Sequence, residues 1–301
     1  MKTTIKTLSH SSVLPFFCFM LFLVSCQDPE PSSGLSMNFN TTPTANRIQP
    51  DNVLLEASGL VHSIKQPGFL WTHEDAAQAN DLILITEKGQ IAGKLRLNVS
   101  NFDWEDLAIG PGPVANETYL YLADMGSNEN TRVERVVYRL AEPANLQVSV
   151  PKIDAIRFKL PDGAFDSETI LLDPLTKDIY VVTKFLANAR LYRLPYPQAT
   201  DKVITAEKMG EMTIGNDLTG GATSTDGKEI IVRGYTAIYY WQRKTGETFA
   251  QTLLRKYDKS LPYVFEPQGE AVCFEKSGKG YFTLSEIGRA SSVSLYYYER
   301  K

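Results

Sequence analysis

Five copies of a related motif, each about fifty residues long, run along this chain from residue 58 to its end. Their central positions are 59, 106, 168, 221 and 270, so neighbouring copies lie 47, 62, 53 and 49 residues apart. Each copy has a short apolar step, a turn containing Gly, Pro or Asp, and further strand-like runs. A unit of this length with four short strands is typical of a β-propeller blade. The sequence therefore predicts an all-β fold, a β-propeller.

The strand-like runs are rich in aromatic and β-branched residues, which favours buried strands. The second runs cover residues 69–72, 119–122, 179–182, 230–232 and 281–284. The third runs cover residues 82–86, 136–140, 190–194, 238–241 and 293–298. Five four-stranded blades are the favoured count, and six is the alternative because many related propellers have six.

The last copy of the motif has only three strands by Tyr298, and the chain stops at Lys301. We therefore expect its fourth strand to come from the N-terminal side, with residues 52–55 as the predicted donor. That pairing closes the ring and leaves no open sheet edge. Residues 131–140 are ambiguous, because their valines and Leu140 fit a helical stripe as well as a strand.

The N-terminal region has the pattern of a targeting segment. Lys2 and Lys6 precede an apolar run over residues 13–24, which is too short for a comfortable transmembrane helix but fits the core of a signal peptide. The run ends in Leu-Val-Ser-Cys, which resembles a bacterial lipobox, the site at which a cysteine receives lipid. We therefore expect a signal peptide over residues 1–25 and acylation, including palmitate, at Cys26. An ordinary secretory signal is the alternative.

Residues 26–50 are rich in Pro, Ser, Thr and Asn, which predicts a flexible tether ahead of a propeller domain over residues 51–301. Gln27 follows the lipid site, as in other Gram-negative lipoproteins that are sorted to the outer membrane. The predicted location is therefore the cell envelope, as an outer-membrane-anchored lipoprotein that is periplasmic or surface-exposed.

The charge pattern disfavours nucleic-acid binding, and the cysteine content excludes an intrachain disulfide. The formal net charge is −4 with acids and bases interspersed, so there is no basic stripe for nucleic acid. Cys18 lies in the predicted signal peptide and Cys26 is the predicted lipid site, which leaves Cys273 without a partner for an intrachain disulfide. Because Cys273 lies in an apolar run, we expect a buried structural thiol in a monomeric domain.

Acidic residues recur where the innermost strands begin. In a propeller blade the start of the first strand and the end of the second meet on one face, so these positions converge around the axis. The first strands contribute Glu105 or Asp106, Glu168 and Glu270, with Asp103, Asp166 and Glu266 just outside. The second strands contribute His73, Asp124, Lys184, the region of Tyr235, and Glu286.

Several carboxylates in one place need a counter-charge, because like charges and burial both raise their pKa values. One solution is Ca²⁺, for which the predicted ligands are Asp106, Glu168, Glu270, Glu105 and Glu286. A second is an ion-pair network in which Lys184 and Arg233 line the pocket. A third is a protonated acid that serves as general acid or base. A purely structural alternative, in which the acids bind backbone amides and tie blades together, also stays open.

The combined motifs resemble a known family. They include Thr-His-Glu-Asp at 72–75, Asp-Trp-Glu-Asp at 103–106, Asp-Ser-Glu-Thr at 166–169 and Glu-Pro-Gln-Gly-Glu-Ala at 266–271. Together they look like a family of uncharacterised bacterial secreted propellers, often labelled PE-PGRS family proteins. More remotely, the arrangement is similar to phytase-like and esterase-like propellers and to the gluconolactonase and paraoxonase group. That resemblance implies calcium at the axis and an oxygen-rich substrate, while the family itself implies fold and location only.

Two functional hypotheses follow. The favoured one is a membrane-anchored module that binds a small molecule, glycan or partner protein at its acidic face. The alternative is a calcium-dependent hydrolase of phosphate esters or lactones, with Asp124 or His73 as the base and a metal-bound water as nucleophile. The GxSxG, HExxH and P-loop motifs are absent from the sequence, so the hydrolase hypothesis has no nucleophile motif to support it.

Overall fold

Runs of β-branched and aromatic residues form strands that assemble into five sheets, in which neighbouring strands pair antiparallel except for one short parallel pair, Ile204–Thr205 with Phe158–Lys159. The computed structural model describes residues 1, 36–75, 79–147, 150–184, 187–215 and 217–301, and Ser36–Lys301 form one compact unit. The predicted signal peptide, Cys26 and the first part of the tether lie outside the described residues. Within the described part of the chain, no helix is long and apolar enough to cross a membrane.

The strands follow one another around the ring in chain order. After β1 (Thr44–Arg47), blade one contains β2 (Ala57–His62), β3 (Phe69–Glu74), β4 (Asp81–Thr86) and β5 (Ile91–Arg96). Blade two contains β6 (Trp104–Pro111), β7 (Thr118–Asp124), β8 (Arg135–Ala141) and β9 (Ile153–Lys159). Blade three contains β10 (Ser167–Leu172), β11 (Ile179–Thr183) and β12 (Arg190–Leu194), then, after β13 (Ile204–Thr205), β14 (Glu207–Glu211).

Blade four contains β15 (Leu218–Thr223), β16 (Glu229–Gly234), β17 (Ile238–Gln242) and, after α1 (Phe249–Leu254), β18 (Lys259–Ser260). Blade five contains β19 (Gln268–Phe274), β20 (Gly280–Glu286) and β21 (Ser294–Glu299), completed by β1. The innermost strands β2, β6, β10, β15 and β19 each contact the next around the axis, and β19 contacts β2. The predicted five-bladed propeller is therefore confirmed.

Apolar side chains pack between neighbouring blades on both faces of each sheet. Trp71 of blade one and Trp104 of blade two share one cluster, while Tyr121 and Val181 share the next. Because both faces are covered, strands such as β11 and β16 are buried along their whole length. This explains why the sequence shows continuous apolar runs in these strands in place of a strict alternation.

The strand that closes the ring is not the predicted one. β1 pairs antiparallel with β21, and Thr44 lies opposite Tyr297. The predicted donor, residues 52–55, forms no strand, and Leu54 is instead buried in the cluster between blades five and one. An outer strand has one solvated face, so β1 has the polar sequence TANR and no apolar pattern to reveal it. Part of the expected tether therefore belongs to the propeller.

Two further segments go beyond the sequence prediction. The ambiguous region 131–140 contains strand β8, in which Tyr138 pairs with Leu122, and the exposed Val133 precedes it. Between β17 and β18 the chain forms helix α1, which no sequence pattern had indicated. Thr248 and Gln251 form a capping box at its start, and its apolar side packs into the cluster between blades three and four.

Candidate functional site

Every innermost strand has a β-bulge near its beginning. The register against the second strand shifts between Ser58 and Leu60, and at the equivalent points of the other four blades. The extra residue in each bulge stands outside the regular ladder, where its side chain can be turned towards the axis. These five residues are Gly59, Glu105, Glu168, Thr219 and Glu270. Three of the five blades thus use the bulge to present a glutamate.

Two groups of carboxylates meet at this end of the axis, which we call the acidic end. One group is Asp75, Asp103 and Glu105, and the other is Glu105, Asp166 and Glu168. In each group, one oxygen from every residue lies within 4.8 Å of the others. We call these five residues the acidic cluster. They come from blades one, two and three, and Glu105 belongs to both groups.

Burial and mutual repulsion make the charged forms of Glu105 and Asp75 unfavourable. Burial raises the pKa of Glu105 well above its ordinary value, and the charges of Glu168 and Asp75 raise it further. Burial and the neighbouring Asp103 raise the pKa of Asp75 to about 7. At neutral pH the cluster therefore holds protons unless a cation replaces them.

Lys184 neutralises part of the negative charge at this end. Lys184 Nζ lies 2.5 Å from Glu168 Oε1 and donates to Tyr235 Oη at 3.1 Å. Tyr235 in turn donates to Glu270 Oε1 at 3.0 Å. Burial lowers the pKa of Lys184, but the Glu168 carboxylate outweighs this and leaves it raised. The lysine stays charged and links blades three, four and five.

In the described part of the chain, two buried carboxylate oxygens lack a hydrogen-bond donor. Asp166 Oδ1 accepts from the backbone amides of Ser127 at 2.7 Å and Ser167 at 3.0 Å. Its Oδ2 has no hydrogen-bond partner among the described residues, and the same holds for Glu270 Oε2. A buried acceptor without a donor is costly, so a proton, a water molecule or a cation at these oxygens stabilises the site.

Gly126 leaves room for the cluster. A Cβ atom built at this position would collide with the carboxylates of Glu105 and Asp103. The residue follows the end of β7, in the loop that covers the cluster. A side chain at this position therefore displaces the carboxylates of Glu105 and Asp103.

Asp106, predicted as a metal ligand, makes a different set of contacts. It is fully buried, and its two oxygens accept from the backbone amides of Leu107 at 2.8 Å, Ile170 at 3.0 Å and Gly221 at 3.1 Å. These amides belong to blades two, three and four. The contacts are those of the structural alternative, in which an acid ties blades together at the axis.

Two other predicted residues are also held in buried pairs. Arg233 is fully buried and lies 2.5 Å from Glu266 Oε2, so it supports blade five. Asp124 lies 2.6 Å from Arg132 Nη1 and accepts from the backbone amide of Asp103 at 3.2 Å. Glu266 and Asp124 therefore both have cationic partners from the chain itself.

His73 and Glu286 lie near the acidic end but outside the acidic cluster. His73 is fully buried, and burial lowers its pKa to about 4. Its Nε2 has no hydrogen-bond partner within the described part of the chain. Glu286 is half-buried, and burial together with the charges of Glu270 and Asp75 raises its pKa to about 8. The roles predicted for both residues stay predictions.

The sequence analysis placed Asp103 and Asp166 just outside the first-strand acids and not among the predicted ligands, and it did not single out Asp75. Asp103 and Asp166 each stand two residues before a bulge glutamate, so their side chains share its side of the strand. Asp75 directly follows β3 of blade one. The available signal was the repeated acid-x-Glu spacing at 103–105 and 166–168.

Comparisons with known proteins concern the fold. No family model matches the sequence, and no curated protein matches it. Among solved structures, the chain is similar to the β-propeller domain of Myceliophteria thermophila Cps50 (Swd1), with 11% identity and a TM-score of 0.42, covering 84% of this chain and 99% of that one. It is also similar to the Dos1 propeller, with 12% identity, a TM-score of 0.37 and coverage of 84% and 82%. Likeness at this level says nothing about ligands.

Proposed function

We propose that this protein is a membrane-anchored binding module of the cell envelope whose propeller holds Ca²⁺ in the acidic cluster. The observation that carries this proposal is the pair of carboxylate groups that share Glu105. Asp166 Oδ2 supports it, because this buried oxygen lacks a donor among the described residues. A cation bound there gives the oxygen a partner and compensates the neighbouring charges.

Calcium fits the chemistry of these residues better than a softer metal. The cluster offers only carboxylate oxygens, and Ca²⁺ takes six to eight oxygen ligands in flexible geometry. Zinc prefers histidine and cysteine, and His73, which lies near the acidic end, is not part of either group. Asp75 and Asp103 are half-buried, so a cation bound between them has a side open to a ligand.

The ligand we expect is rich in oxygen atoms, such as a glycan, an acidic small molecule or an acidic segment of a partner protein. A bound Ca²⁺ supplies coordination sites for hydroxyl, carboxylate or phosphate oxygens. Phe102 and Phe265 are 68% and 82% exposed and directly precede acids of blades two and five. Exposed rings beside a polar site offer apolar contact area for a ligand.

The membrane attachment is supported by sequence alone. The apolar run over residues 13–24 and Cys26 have the pattern of a lipoprotein signal. Detection of a lipid-modified Cys26 by mass spectrometry after expression in a Gram-negative host is the expected result. An unmodified mature N-terminus contradicts this part of the proposal.

The cation site is tested by thermal denaturation with EDTA and with added Ca²⁺. We expect Ca²⁺ to raise the melting temperature of the wild-type protein and to leave Glu105→Gln almost unchanged, because this substitution removes the ligand that both groups share. Glu117→Gln is the matched control, because Glu117 pairs with Lys65 at the opposite end of the axis. A calcium shift that survives in Glu105→Gln contradicts the site.

A second candidate function is hydrolysis of phosphate esters or lactones. It is favoured by the shared position of Glu105, since a bridging carboxylate is suited to two ions, as in two-metal phosphoesterases. His73 or Asp124 remains the candidate base. A screen of aryl phosphates and lactones at saturating Ca²⁺ separates the two functions, because a pure binding module shows no turnover. Activity that persists in Glu105→Gln places the reaction elsewhere.

A further inference from the structure

The end of the propeller opposite the acidic cluster has a shallow groove that we call the basal groove. It has a volume of about 380 Å³ and is lined by residues that include Ile109, Pro111, Leu172 and Pro174. These residues lie where innermost strands end and turn outwards. The basal groove is therefore centred near the axis, on the face that the acids do not occupy.

Two exposed apolar residues stand in the same turns. Leu175 is 65% exposed and Val114 is 55% exposed. The turn that carries Leu175 is well ordered by hydrogen bonds, since Asp173 accepts from the Leu175 amide at 3.1 Å and from Thr176 Oγ1 at 3.1 Å. Arg243 Nη1 lies 3.0 Å from Asp173 Oδ1 and forms an ion pair with this carboxylate. These contacts fix the conformation of the turn, so the turn loses little conformational freedom when Leu175 contacts an apolar phase.

Lysines accompany these apolar residues. The turns between the first and second strands contain five lysines, namely Lys65, Lys177, Lys228, Lys276 and Lys279. The same turns contain five acids, namely Glu117, Asp173, Asp178, Asp226 and Glu275, and two of these pair with lysines, Glu117 with Lys65 and Asp226 with Lys228. The basal turns therefore have no net charge, so an anionic lipid surface does not repel them while the apolar side chains enter the interface.

The acidic end does not suit such a surface, although Phe102 and Phe265 are exposed there. Their neighbours are carboxylates, among them Asp103 and Glu266. Anionic headgroups repel carboxylates, and burial of these groups in the interface adds a desolvation cost. The charges of the two ends therefore distinguish which one faces lipid.

The chain also joins the propeller at the basal end. Arg300 donates to the carbonyl of Ser36 and, through Nε, to the carbonyl of Gly278 at 2.5 Å, and Gly278 lies in the turn that joins β19 and β20. Nine residues, 27–35, separate Ser36 from Cys26. Fully extended, this length of chain spans at most about 35 Å. An anchor at Cys26 therefore limits the distance between the membrane and the basal attachment point to at most about 35 Å.

We infer that the basal end is a membrane-contact surface, with Leu175 and Val114 at the lipid interface and the acidic cluster facing away from the bilayer. This inference rests on the membrane attachment proposed above and not on the calcium site. In this orientation the ligand-binding end has free access to the surroundings, since the membrane covers the opposite face.

The test is a fluorescence-quenching experiment on the full chain, reconstituted in vesicles of phosphatidylcholine containing a minority of phosphatidylglycerol. A polarity-sensitive fluorophore is attached through Leu175→Cys, Val114→Cys or, as the matched control, Val133→Cys, which is 60% exposed in the loop of the acidic end. Labelled wild-type protein gives the background from the native cysteines. Nitroxide-labelled lipids should quench the first two probes several-fold more strongly than the control.

A second variant checks that the apolar contact is responsible. Adding Leu175→Asp should reduce quenching at Val114→Cys several-fold, because a charge in the turn opposes insertion. Equal quenching at both ends, stronger quenching at Val133→Cys, or no quenching at any position overturns the inference. The calcium-dependent melting shift is measured separately, so its loss counts against the cation site and not against the membrane surface.

Discussion

At the scale of single residues, acids with the same sequence signature have opposite roles. Glu105 and Asp106 are neighbours in β6, and both are buried. The bulge separates them, because Glu105 is the extra residue and Asp106 resumes the ladder opposite Ala123. Glu105 therefore meets other carboxylates, whereas Asp106 meets backbone amides. One step along a bulged strand decides whether an acid is available for a ligand.

Removal of the Asp106 carboxylate should destabilise the whole ring. Asp106→Ala leaves the buried amides of Leu107, Ile170 and Gly221 without their acceptor, at a cost of about 3 kcal/mol or more in free energy of unfolding. Urea denaturation measures this cost, and Asp201→Ala, which truncates an exposed acid, is the control. A loss no greater than that of the control shows that Asp106 does not tie the blades.

Gly126 provides a second prediction at this scale. In Gly126→Ala the added methyl group collides with Glu105 and Asp103, so we expect a stability loss of about 1–3 kcal/mol and a smaller calcium shift. Gly246→Ala is the control, because its Cβ meets no atom within 4 Å, although its φ of 84° carries a strain cost of its own. Differential scanning fluorimetry without Ca²⁺ measures the stability loss, and the same measurement with Ca²⁺ gives the calcium shift. An undiminished calcium shift in Gly126→Ala refutes the packing argument.

At the scale of elements, the closing strand has the least sequence signal and a large structural effect. β1 covers the outer edge of β21, and Ile48 just beyond it donates to the carbonyl of Val293 at 2.9 Å. Without these contacts, blade five has three strands and an open edge. Closure by pairing of the two chain ends links the stability of the ring to a short polar segment.

Deletion of residues 36–47 should therefore lower the melting temperature by at least about 5 °C and expose the edge of β21 to aggregation. Deletion of residues 27–35 removes a similar length of chain ahead of the propeller and is the control. Circular dichroism gives the melting temperature, and light scattering follows aggregation. Equal melting temperatures for the two deletions contradict the closure described for β1.

At the scale of the whole molecule, the arrangement of blades concentrates acids whose pKa values are raised at one end. Burial raises the pKa of Asp75 to about 7 and that of Glu286 to about 8. In the unfolded chain the same groups ionise near their ordinary values, 3.8 and 4.5. Folding therefore favours bound protons, and this contribution to stability is fully present below about pH 4 and is lost as the pH rises through 7 to 8.

We expect the metal-free protein to be less stable at about pH 8.5 than at about pH 5, and saturating Ca²⁺ to reverse most of this difference by favouring the ionised acids. Urea midpoints in EDTA and in Ca²⁺ measure the effect. The double variant Asp75→Asn, Glu286→Gln should show a flatter pH dependence, because these groups no longer titrate. A metal-free protein that gains stability over this pH range contradicts the prediction.

The spacing of the five motifs was enough to predict the blades, because each blade is a local unit whose strands and turns have their own residue preferences. The start of each innermost strand could also be read from the sequence, so Glu105, Glu168 and Glu270 were expected at one end of the axis. The closing strand could not be found in this way. Its residues are solvated, and a polar strand has no distinguishing pattern.

Only the tertiary structure decided which carboxylates meet and which are occupied by the chain itself. The partners of Asp106 are backbone amides of other blades, and a backbone amide has no sequence signature. The bulge that frees Glu105 depends on pairing between strands, as does the contact of Asp75 with the acids of blade two. Sequence alone determined the repeated unit and the residue types at each end, because these follow from local patterns. The grouping of atoms into a site required the ring, because it brings together residues that are distant along the chain.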